Sequence, residues 1–284
     1  MQFRYTLRYM YFRAIVTFID ILGFRDLVAT RQPEEVDRAI KTLRRSSGYT
    51  EADHSQGLKV FAFSDSIIRI LPSDAISGVF YELMDVLHAQ SKLISQGILI
   101  RGGMTIGDIA VGQDQIFGPA FIEAYELESK IAVYPRVVVS PRLLNEFSSG
   151  KLPFVRHHDL NQESEYVGGL MQQGDDGIWH VDYLRAFATE VDEPKYYAYF
   201  LSHHLMVIRN ISALVVKHQG QLSSLALKAN WLARYHNKVV TERAEDLKKI
   251  GAEPAKLLFP EADLPTYMPA FPHERNHPTN LERR

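Results

Sequence analysis

Residues 14–24 read AIVTFIDILGF, and this stretch decides the fold. Its first part, residues 14–19, is short, apolar and rich in β-branched side chains, which predicts a buried strand. Asp20 is predicted to end this strand, and Gly23 is predicted to open a helix. Because ligand sites in α/β folds lie at the carboxyl ends of strands, Asp20 is the first candidate functional residue.

The flanking sequence continues the alternation of strands and helices. A helical pattern from Gly23 to Arg45 is interrupted at Gln32-Pro33, and residues 58–72, LKVFAFSDSIIRILP, predict a β-hairpin. Further along, the pattern predicts an amphipathic helix over 75–96, strand structure interrupted by glycine over 98–112, a helix over 118–132 and a strand at 137–140. This alternation predicts an α/β fold, with a sheet flanked by helices.

The pattern changes after residue 190. Residues 193–217 and 221–250 are long helical segments with no strand between them, which predicts a helical hairpin as a C-terminal extension. The tail is rich in proline and is predicted to be irregular. The predicted units are an α/β domain at 10–190, a helical hairpin at 191–252 and a tail at 253–284.

Composition excludes several classes of function. The chain of 284 residues is 46% hydrophobic and 23% charged, with a formal net charge of −2, so it is globular and lacks the bulk positive charge of a non-specific nucleic-acid binder. The absence of cysteine excludes disulfides, zinc–thiolate sites and thiol nucleophiles. The sequence shows no signal peptide and no run of about 20 uncharged apolar residues. We therefore expect a cytoplasmic protein without a nucleic-acid or membrane partner.

A second carboxylate, Asp65, lies at the turn of the predicted hairpin, between Ser64 and Ser66. Two carboxylates beside a helix start, whose N–H groups favour phosphate, are typical of a site for a hard divalent cation. Arg101, which precedes two glycines, adds a positive charge suited to phosphate. Each residue alone also fits an ordinary structural role, as a helix cap, a turn residue or a surface arginine, so the prediction depends on their combination.

Three segments together resemble the class III nucleotidyl cyclase domain: FIDILGF at 18–24, FSDS at 63–66 and IRGGMTIGDIAVGQDQIFGPAFIEAYELES at 100–129. In that family an Asp-bearing strand leads into a Gly-Phe helix start, and a hairpin contains a second Asp. An Arg-Gly strand then precedes a helix that ends in a Glu-Ser pair. The resemblance covers residues 14–140, and its order and spacing are specific.

The resemblance implies a role for each matching position. Asp20 and Asp65 would be the catalytic carboxylates that hold two divalent ions, Mn²⁺ or Mg²⁺, and the carbonyl of Ile21 would be a further metal ligand. Arg101 would contact the leaving pyrophosphate. The implied reaction is attack of a ribose 3′-hydroxyl on the α-phosphate of the same nucleotide. The implied substrate contacts are Phe18 and the N–H groups of Leu22, Gly23 and Phe24.

The sequence departs from the family where the family reads a purine base and stabilises the transition state. Phe61 stands at the position of a base-reading Lys, and Gln115 stands at the position of a base-reading Asp. Ile122 and Glu126 replace an Asn and an Arg that act on the ribose and the α-phosphate. The resemblance therefore implies an intact metal site and an altered base site.

This combination is most similar to one subgroup, the Pycsar pyrimidine cyclases of bacterial anti-phage defence, and KANWLARYHN at 228–237 adds to the similarity. The similarity implies conversion of UTP, or alternatively CTP, into a cyclic nucleotide that a separate effector protein reads. It also implies a homodimer with composite sites, in which Gln115 faces metals held by the other protomer. Tyr49 is a further candidate for base stacking, and Lys228 or Arg234 for replacing the missing arginine.

Three other functions stay open. An adenylate or guanylate cyclase with unusual base contacts would use the same carboxylates. A regulatory module that only binds nucleotide would have no reason to keep two carboxylates beside a triphosphate, which they repel without metal. A phosphatase with Asp20 as nucleophile would normally need a second acid two residues later, where this chain has Leu22.

Overall fold

The structure, a computed structural model, describes residues 10–48, 56–112, 115–217 and 223–265. Its strands are Phe12–Ile21 (β1), Lys59–Phe63 (β2), Ser66–Pro72 (β3), Ile100–Val111 (β4), Ile116–Phe117 (β5), Val137–Val139 (β6), Met171–Gln173 (β7) and Trp179–Val181 (β8). Its helices are Phe24–Thr30 (α1), Pro33–Ser46 (α2), Gly78–Ile94 (α3), Pro119–Glu126 (α4), Pro141–Ser148 (α5), Leu160–Gly169 (α6), Tyr183–Glu190 (α7), Pro194–Lys217 (α8), Ser223–Glu242 (α9), Ala244–Lys249 (α10) and Pro254–Leu257 (α11). The predicted α/β fold with flanking helices is confirmed.

The strands form one mixed sheet in the order β2-β3-β1-β4-β6-β8-β7, and β5 pairs with the end of β4. Strand β1 lies between β3 and β4 and is antiparallel to both, whereas β6 is parallel to β4. Asp20 is the penultimate residue of β1, one residue before the end of the strand, and β1 pairs on both sides as far as Asp20. This register places Asp20 directly opposite Ser66 on β3 and Arg101 on β4.

Side chains of β1 alternate between two apolar clusters, one on each face of the sheet. Ile15 and Ile19 belong to the larger cluster, which includes Leu83 of α3. Val16 and Phe18 belong to the smaller cluster, under α4. Since Asp20 follows Phe18 at an interval of two residues, its side chain lies on the same face as α4.

Gly103 allows α4 to lie close to the sheet. A Cβ atom at this position would lie 2.4 Å from the Cβ of Leu127 and 2.5 Å from the carbonyl oxygen of Ala124. Any side chain would therefore push away the end of α4 and the π-helical turn Leu127–Ile131 that continues it. Gly103, the second glycine of the Arg-Gly-Gly segment, thus has a packing role: it determines how closely this helix approaches the strand that bears Arg101.

The C-terminal helices α8 and α9 pack against each other, and the predicted C-terminal helical extension is confirmed. The helical pattern over 221–250 is divided at Arg243, where α9 gives way to α10. Leu201 and Leu232 share the larger apolar cluster with Ile15 of the sheet. The boundary at residue 191 therefore stays a prediction, while the hairpin and the sheet have a common core.

Helix α8 has the length and composition that a membrane span requires, with a mean hydropathy of 1.2 over its most apolar window. Within that window, 44% of the residues are buried inside the protein. The core helix of a water-soluble protein passes the same test, and α8 is the one helix of the described segments that does so.

Candidate functional site

Three strands present polar side chains at one edge of the sheet, on the side covered by α4. Ser66 begins β3, Asp20 lies near the end of β1, and Arg101 lies at the start of β4. The Ser66 hydroxyl donates a hydrogen bond to Oδ1 of Asp20 at 2.9 Å, and Nη2 of Arg101 lies 3.8 Å from Oδ2 of Asp20. Neighbouring strands therefore hold Asp20 from both sides.

The hairpin turn brings Asp65 to the same edge. The loop between β2 and β3 consists of Ser64 and Asp65, and Ser64 adopts a left-handed conformation with φ of 49°. This conformation costs about 1–2 kcal/mol in a residue with a side chain. The Ile21 N–H donates to the carbonyl oxygen of Asp65 at 3.3 Å, which ties the turn to the end of β1.

The two carboxylates interact electrostatically. Burial raises the pKa of Asp20 to about 6, and the negative charge of Asp65 contributes to the increase. The Ser66 hydrogen bond and the positive charge of Arg101 lower the pKa of Asp20, but they do not cancel the increase. The structure thus brings Asp20 and Asp65 together as the sequence predicted, in a setting short of positive charge.

Glu128 is a functional candidate that the sequence analysis did not identify. It is 2% exposed, and its Oε1 lies 2.5 Å from Nε of Arg101. Burial raises the pKa of Glu128 to about 7 against the lowering effect of Arg101, and Asp20 and Asp65 raise it further. Its signal in the sequence is the Glu-Ser pair at 128–129, which is part of the family resemblance but does not by itself indicate a role.

A π-helical turn positions Glu128. Residues Leu127–Ile131 follow α4 without a break but with the wider π-helical spacing. Such turns occur mostly as single turns within α-helices and are frequent at functional sites. The turn lies against Gly103, and it buries Glu128 over the start of β4. A residue pattern with the regular helical period does not predict this placement.

The predicted phosphate loop is partly corrected by the structure. The N–H of Leu22 donates to the carbonyl oxygen of Leu99 at 2.8 Å, so it completes the pairing of β1 with the chain before β4 and is not available to a phosphate. Gly23 has a φ of 79° and caps α1, which begins at Phe24. The N–H groups of Gly23 and Phe24 remain the candidates for phosphate contact.

The predicted base contacts lie on the α4 side of the sheet. Gln115 is exposed and lines a groove of about 400 Å³, together with Phe63 and Ile68. Phe61 lies two residues before Phe63 on β2 and packs with the apolar cluster that includes Ile68. Phe18 is buried and packs edge-to-face against the exposed Tyr125 of α4, with 5.5 Å between ring centroids.

The remaining predicted site residues lie elsewhere. Tyr49 lies outside the described residues. Lys228 is half-buried on α9, close in sequence to Trp231, which lines a different cavity. Ile122 and Glu126, at the positions where the resembling family has Asn and Arg, are exposed on α4.

The carboxylate pair has the donor chemistry of a divalent-ion site. Within the described part of the chain, no group of three or more His, Cys, Asp or Glu side chains is arranged to hold a metal ion. Two carboxylates and a backbone carbonyl suit Mg²⁺ or Mn²⁺, which keep several water or phosphate oxygens as ligands. Burial, together with the charge of Asp65, raises the pKa of Asp20 to about 6, and a bound cation would offset both effects, so Asp20, Asp65 and the Ile21 carbonyl fit such an ion.

No protein-family model and no curated protein matches the sequence. Among solved structures, a bacterial light-regulated adenylyl cyclase is 15% identical over 49% of this chain and 46% of that chain, with a TM-score of 0.41. The monomeric guanylyl cyclase domain of the RhoGC fusion protein from the aquatic fungus Blastocladiella emersonii is 14% identical over 61% of this chain and 96% of that chain, with a TM-score of 0.39. The adenylyl cyclase CyaB from P. aeruginosa is 16% identical over 62% and 96%, also with a TM-score of 0.39. Similarity of this extent does not assign the chain to a family.

Proposed function

We propose that this chain is a nucleotidyl cyclase that converts UTP into 3′,5′-cyclic UMP and pyrophosphate. The observation that supports the proposal is the convergence of Asp20, Asp65 and Arg101 at one sheet edge, where two acidic side chains and a phosphate-binding cation meet beside a helix start. The pyrimidine substrate and a role as a second-messenger synthase in anti-phage defence rest on the resemblance of the sequence segments.

The metal-binding half of the site consists of oxygen donors. Asp20, Asp65 and the carbonyl of Ile21 would hold the divalent ions, Mn²⁺ or Mg²⁺. When bound, such ions lower the pKa of the ribose hydroxyl and neutralise charge on the triphosphate. The Ser66 hydrogen bond keeps Asp20 oriented and favours its ionised form, which is the form that binds a cation.

The other residues act on the phosphates. The N–H groups of Gly23 and Phe24 orient the β- and γ-phosphates, and Arg101 stabilises the pyrophosphate as negative charge develops on it. A bond forms between the ribose 3′-oxygen and the α-phosphorus, the bond from that phosphorus to the pyrophosphate oxygen breaks, and the hydroxyl proton leaves to water. Buried Glu128 restrains the half-buried guanidinium of Arg101 through their ion pair.

The base half of the site is apolar with one amide. Phe61 offers no hydrogen bond, and Gln115 offers both a donor and an acceptor. Uracil presents O4 and N3–H side by side, which one amide matches with two hydrogen bonds. Charged groups that would read the edge of a purine are absent from both positions.

A second copy of the chain completes the proposed site. Gln115 is exposed in the single chain, and the neighbouring helix α4 presents Ile122 and Tyr125 to solvent, which are 58% and 50% exposed. Exposed apolar side chains of this size, beside the base groove, favour burial in a homodimer. In such a dimer, the base contact of one protomer faces the carboxylates of the other.

The experiment that tests the function supplies the purified protein with Mn²⁺ and each of the four ribonucleoside triphosphates in turn, and identifies products by mass spectrometry. Cyclic UMP with equimolar pyrophosphate is expected, and EDTA should abolish it. Cyclic AMP or cyclic GMP as the main product would favour a purine cyclase. Nucleotide binding without any cyclic product would favour a regulatory module.

A further inference from the structure

A second cavity, of about 300 Å³, lies between α9 and the hairpin formed by β7 and β8. Small-molecule sites typically have volumes of about 300–1,000 Å³, and this cavity lies at the lower end of that range. Asp20, Asp65 and Arg101 do not line it. The residues that matter for its chemistry are Tyr134, His180, Asn230, Trp231, Arg234 and Lys238.

His180 lines this cavity and has a buried hydrogen-bond acceptor without a partner in the described part of the chain. The side chain is 2% exposed, and its Nδ1 lies 3.4 Å from the carbonyl oxygen of Ile178. Because a carbonyl only accepts, Nδ1 bears the proton and Nε2 is a lone-pair acceptor. Nε2 has no hydrogen-bond partner among the described residues. Burial and the charge of Arg136 lower the pKa of His180 to about 4, so the ring is neutral near pH 7.

Asn230 provides a second acceptor of the same kind. Its Nδ2 donates to the carbonyl oxygen of Pro265 at 3.1 Å, which fixes the orientation of the amide. Its Oδ1 is buried and has no partner within the described segments. A buried polar atom without a partner costs about 1–3 kcal/mol, so two such acceptors in one cavity favour a ligand with N–H donors.

The walls of the cavity are aromatic and rigidly held. The rings of Tyr134 and Trp231 stack with 5.3 Å between centroids and an interplanar angle of 6°. The guanidinium of Arg136 lies 5.3 Å from the Tyr134 centroid and 5.8 Å from the Trp231 centroid. Arg136 is itself fixed by two contacts with Asp176. Walls of this kind favour a flat ring that contacts them without rearrangement.

The rim of the cavity is positively charged. Arg234 and Lys238 are exposed and lie one turn apart on α9, so they project from the same face of the helix. Asp175 lies on the opposite rim and offsets one of the two charges, while Asp176 is occupied by Arg136. The rim therefore favours a ligand with an anionic group, such as a phosphate.

We propose that this cavity binds a nucleoside monophosphate whose base has an amino group. The two N–H groups of the exocyclic amino nitrogen donate to His180 and Asn230, the base lies against the aromatic wall, and the phosphate contacts Arg234 and Lys238. The site requires no divalent ion, and the proposal does not depend on the cyclase function.

The test measures calorimetric binding of AMP, GMP and CMP separately, in EDTA so that no metal occupies the carboxylate edge. At least one of them should bind with a 1:1 stoichiometry. UMP, whose base has no amino group, and ribose 5-phosphate, which has no base, should bind at least about 5-fold more weakly. No binding of the three amino nucleotides, or equal binding of UMP or ribose 5-phosphate, would overturn the proposal.

Two variants locate the binding, and two control variants should leave it unchanged. His180→Phe keeps a ring of similar size but removes the acceptor, and should weaken binding about 5–150-fold. Arg234→Gln, at an exposed position, should weaken nucleotide binding about 5-fold. If His180→Phe does not fold, this variant alone tests whether the nucleotide binds in the cavity. Lys256→Gln, an exposed lysine on α11, and Asp20→Asn are the controls. Unchanged affinity in Arg234→Gln and in a folded His180→Phe would refute the assignment.

Discussion

Nε of Arg101 lies 2.5 Å from Oε1 of Glu128, and this buried ion pair joins the start of β4 to the π-helical turn above it. The pair links two parts of the chain that are separated by 27 positions in the sequence. Arg101 is also the nearest positive charge to Asp20, at 3.8 Å. Glu128 thus determines where the guanidinium lies relative to the carboxylates, which makes it a positioning residue in the proposed reaction.

Glu128→Gln should lower the rate of cyclic nucleotide formation by about 10–100-fold, the usual cost of removing a group that orients a functional side chain. The change retains the shape of the protonated glutamate, which the raised pKa makes accessible near pH 7, so folding should be retained. The measurement is steady-state kinetics, with the loss expected in kcat. Glu253→Gln, at an exposed position paired with Lys256, is the matched control. An equal loss in both variants would contradict the assigned role.

Asp20→Asn and Asp65→Asn should each reduce turnover by at least about 100-fold, because the amide keeps the shape of the side chain but removes the charge that a divalent ion requires. Asp108→Asn, an exposed carboxylate on β4, is the control and should retain full turnover. Circular dichroism should show the same secondary structure in all three variants. Near-normal turnover of either test variant at saturating Mn²⁺ would disprove the metal assignment.

The contribution of Asp20 and Glu128 to the stability of the metal-free protein should fall as the pH rises from about 4 to about 7. The pKa of Asp20 is raised to about 6 and that of Glu128 to about 7, so the folded protein holds protons that the unfolded chain has lost above its ordinary carboxyl pKa values. Stability decreases wherever the folded state binds more protons. In EDTA at pH 8, Asp20→Asn should therefore be more stable than the wild type, by about 1–3 kcal/mol.

Denaturant unfolding at pH 4.5 and pH 8 measures this effect. Between pH 4.5 and pH 8, the free energy of unfolding of the wild type minus that of Asp20→Asn should decrease, because the pH dependence of the other titrating groups is common to both proteins. Added Mn²⁺ at pH 8 should restore the stability of the wild type but not that of Asp20→Asn, because only the carboxylate gains from the cation. If the stability of the wild type relative to that of Asp20→Asn were greater at pH 8 than at pH 4.5, this result would contradict the raised pKa of Asp20.

Local sequence patterns were sufficient to predict the central part of the fold. The apolar β-branched run of β1 and the two apolar runs of the β2–β3 hairpin predict their strands directly: β1 and β3 are buried along most of their length, and β2, at the edge of the sheet, is partly exposed. The Arg-Gly-Gly segment likewise indicated a strand that another element approaches closely. In the structure, the end of α4 packs against Gly103. Asp20, Asp65 and Arg101 could be predicted because each stands at the end of such an element.

The features that the sequence did not predict depend on packing between segments that are distant in the chain. The role of Glu128 depends on a π-helical turn that departs from the regular helical period, and the N–H of Leu22 is taken by Leu99 from a distant segment. Strands β7 and β8 have three residues each, too few for a period to show. The cavity beside Trp231 combines these strands with α9, so no single segment of the sequence predicts it.

Mixing two inactive variants should restore activity if the proposed homodimer has composite sites. In a heterodimer of Asp20→Asn and Gln115→Ala subunits, one of the two sites has both an intact carboxylate pair and an intact base contact. Up to about one half of the wild-type activity per heterodimer is then expected. Subunit exchange is verified with differently tagged protomers. Activity that stays at the sum of the separate variants, with exchange demonstrated, would show that each site lies within one chain.

Competition among nucleotides should show pyrimidine selectivity, with UTP ahead of CTP. The groove beside Phe63 provides an apolar floor and the exposed amide of Gln115, and neither group matches the charged contacts that read a purine edge. A mispaired buried polar group costs about 1–3 kcal/mol, so purines should be disfavoured by about 5–150-fold. A reoriented amide also matches cytosine, which presents N4–H₂ beside N3, so discrimination between the two pyrimidines should be smaller than discrimination against purines.

The assay supplies equimolar ATP, GTP, CTP and UTP with Mn²⁺ and counts the cyclic products by mass spectrometry. The double variant Phe61→Lys and Gln115→Asp should shift the product ratio towards cyclic AMP, because it introduces the charged pair that a purine edge requires. A main product of cyclic AMP or cyclic GMP from the wild type would overturn the pyrimidine assignment, whereas cyclic CMP would change only the choice between pyrimidines.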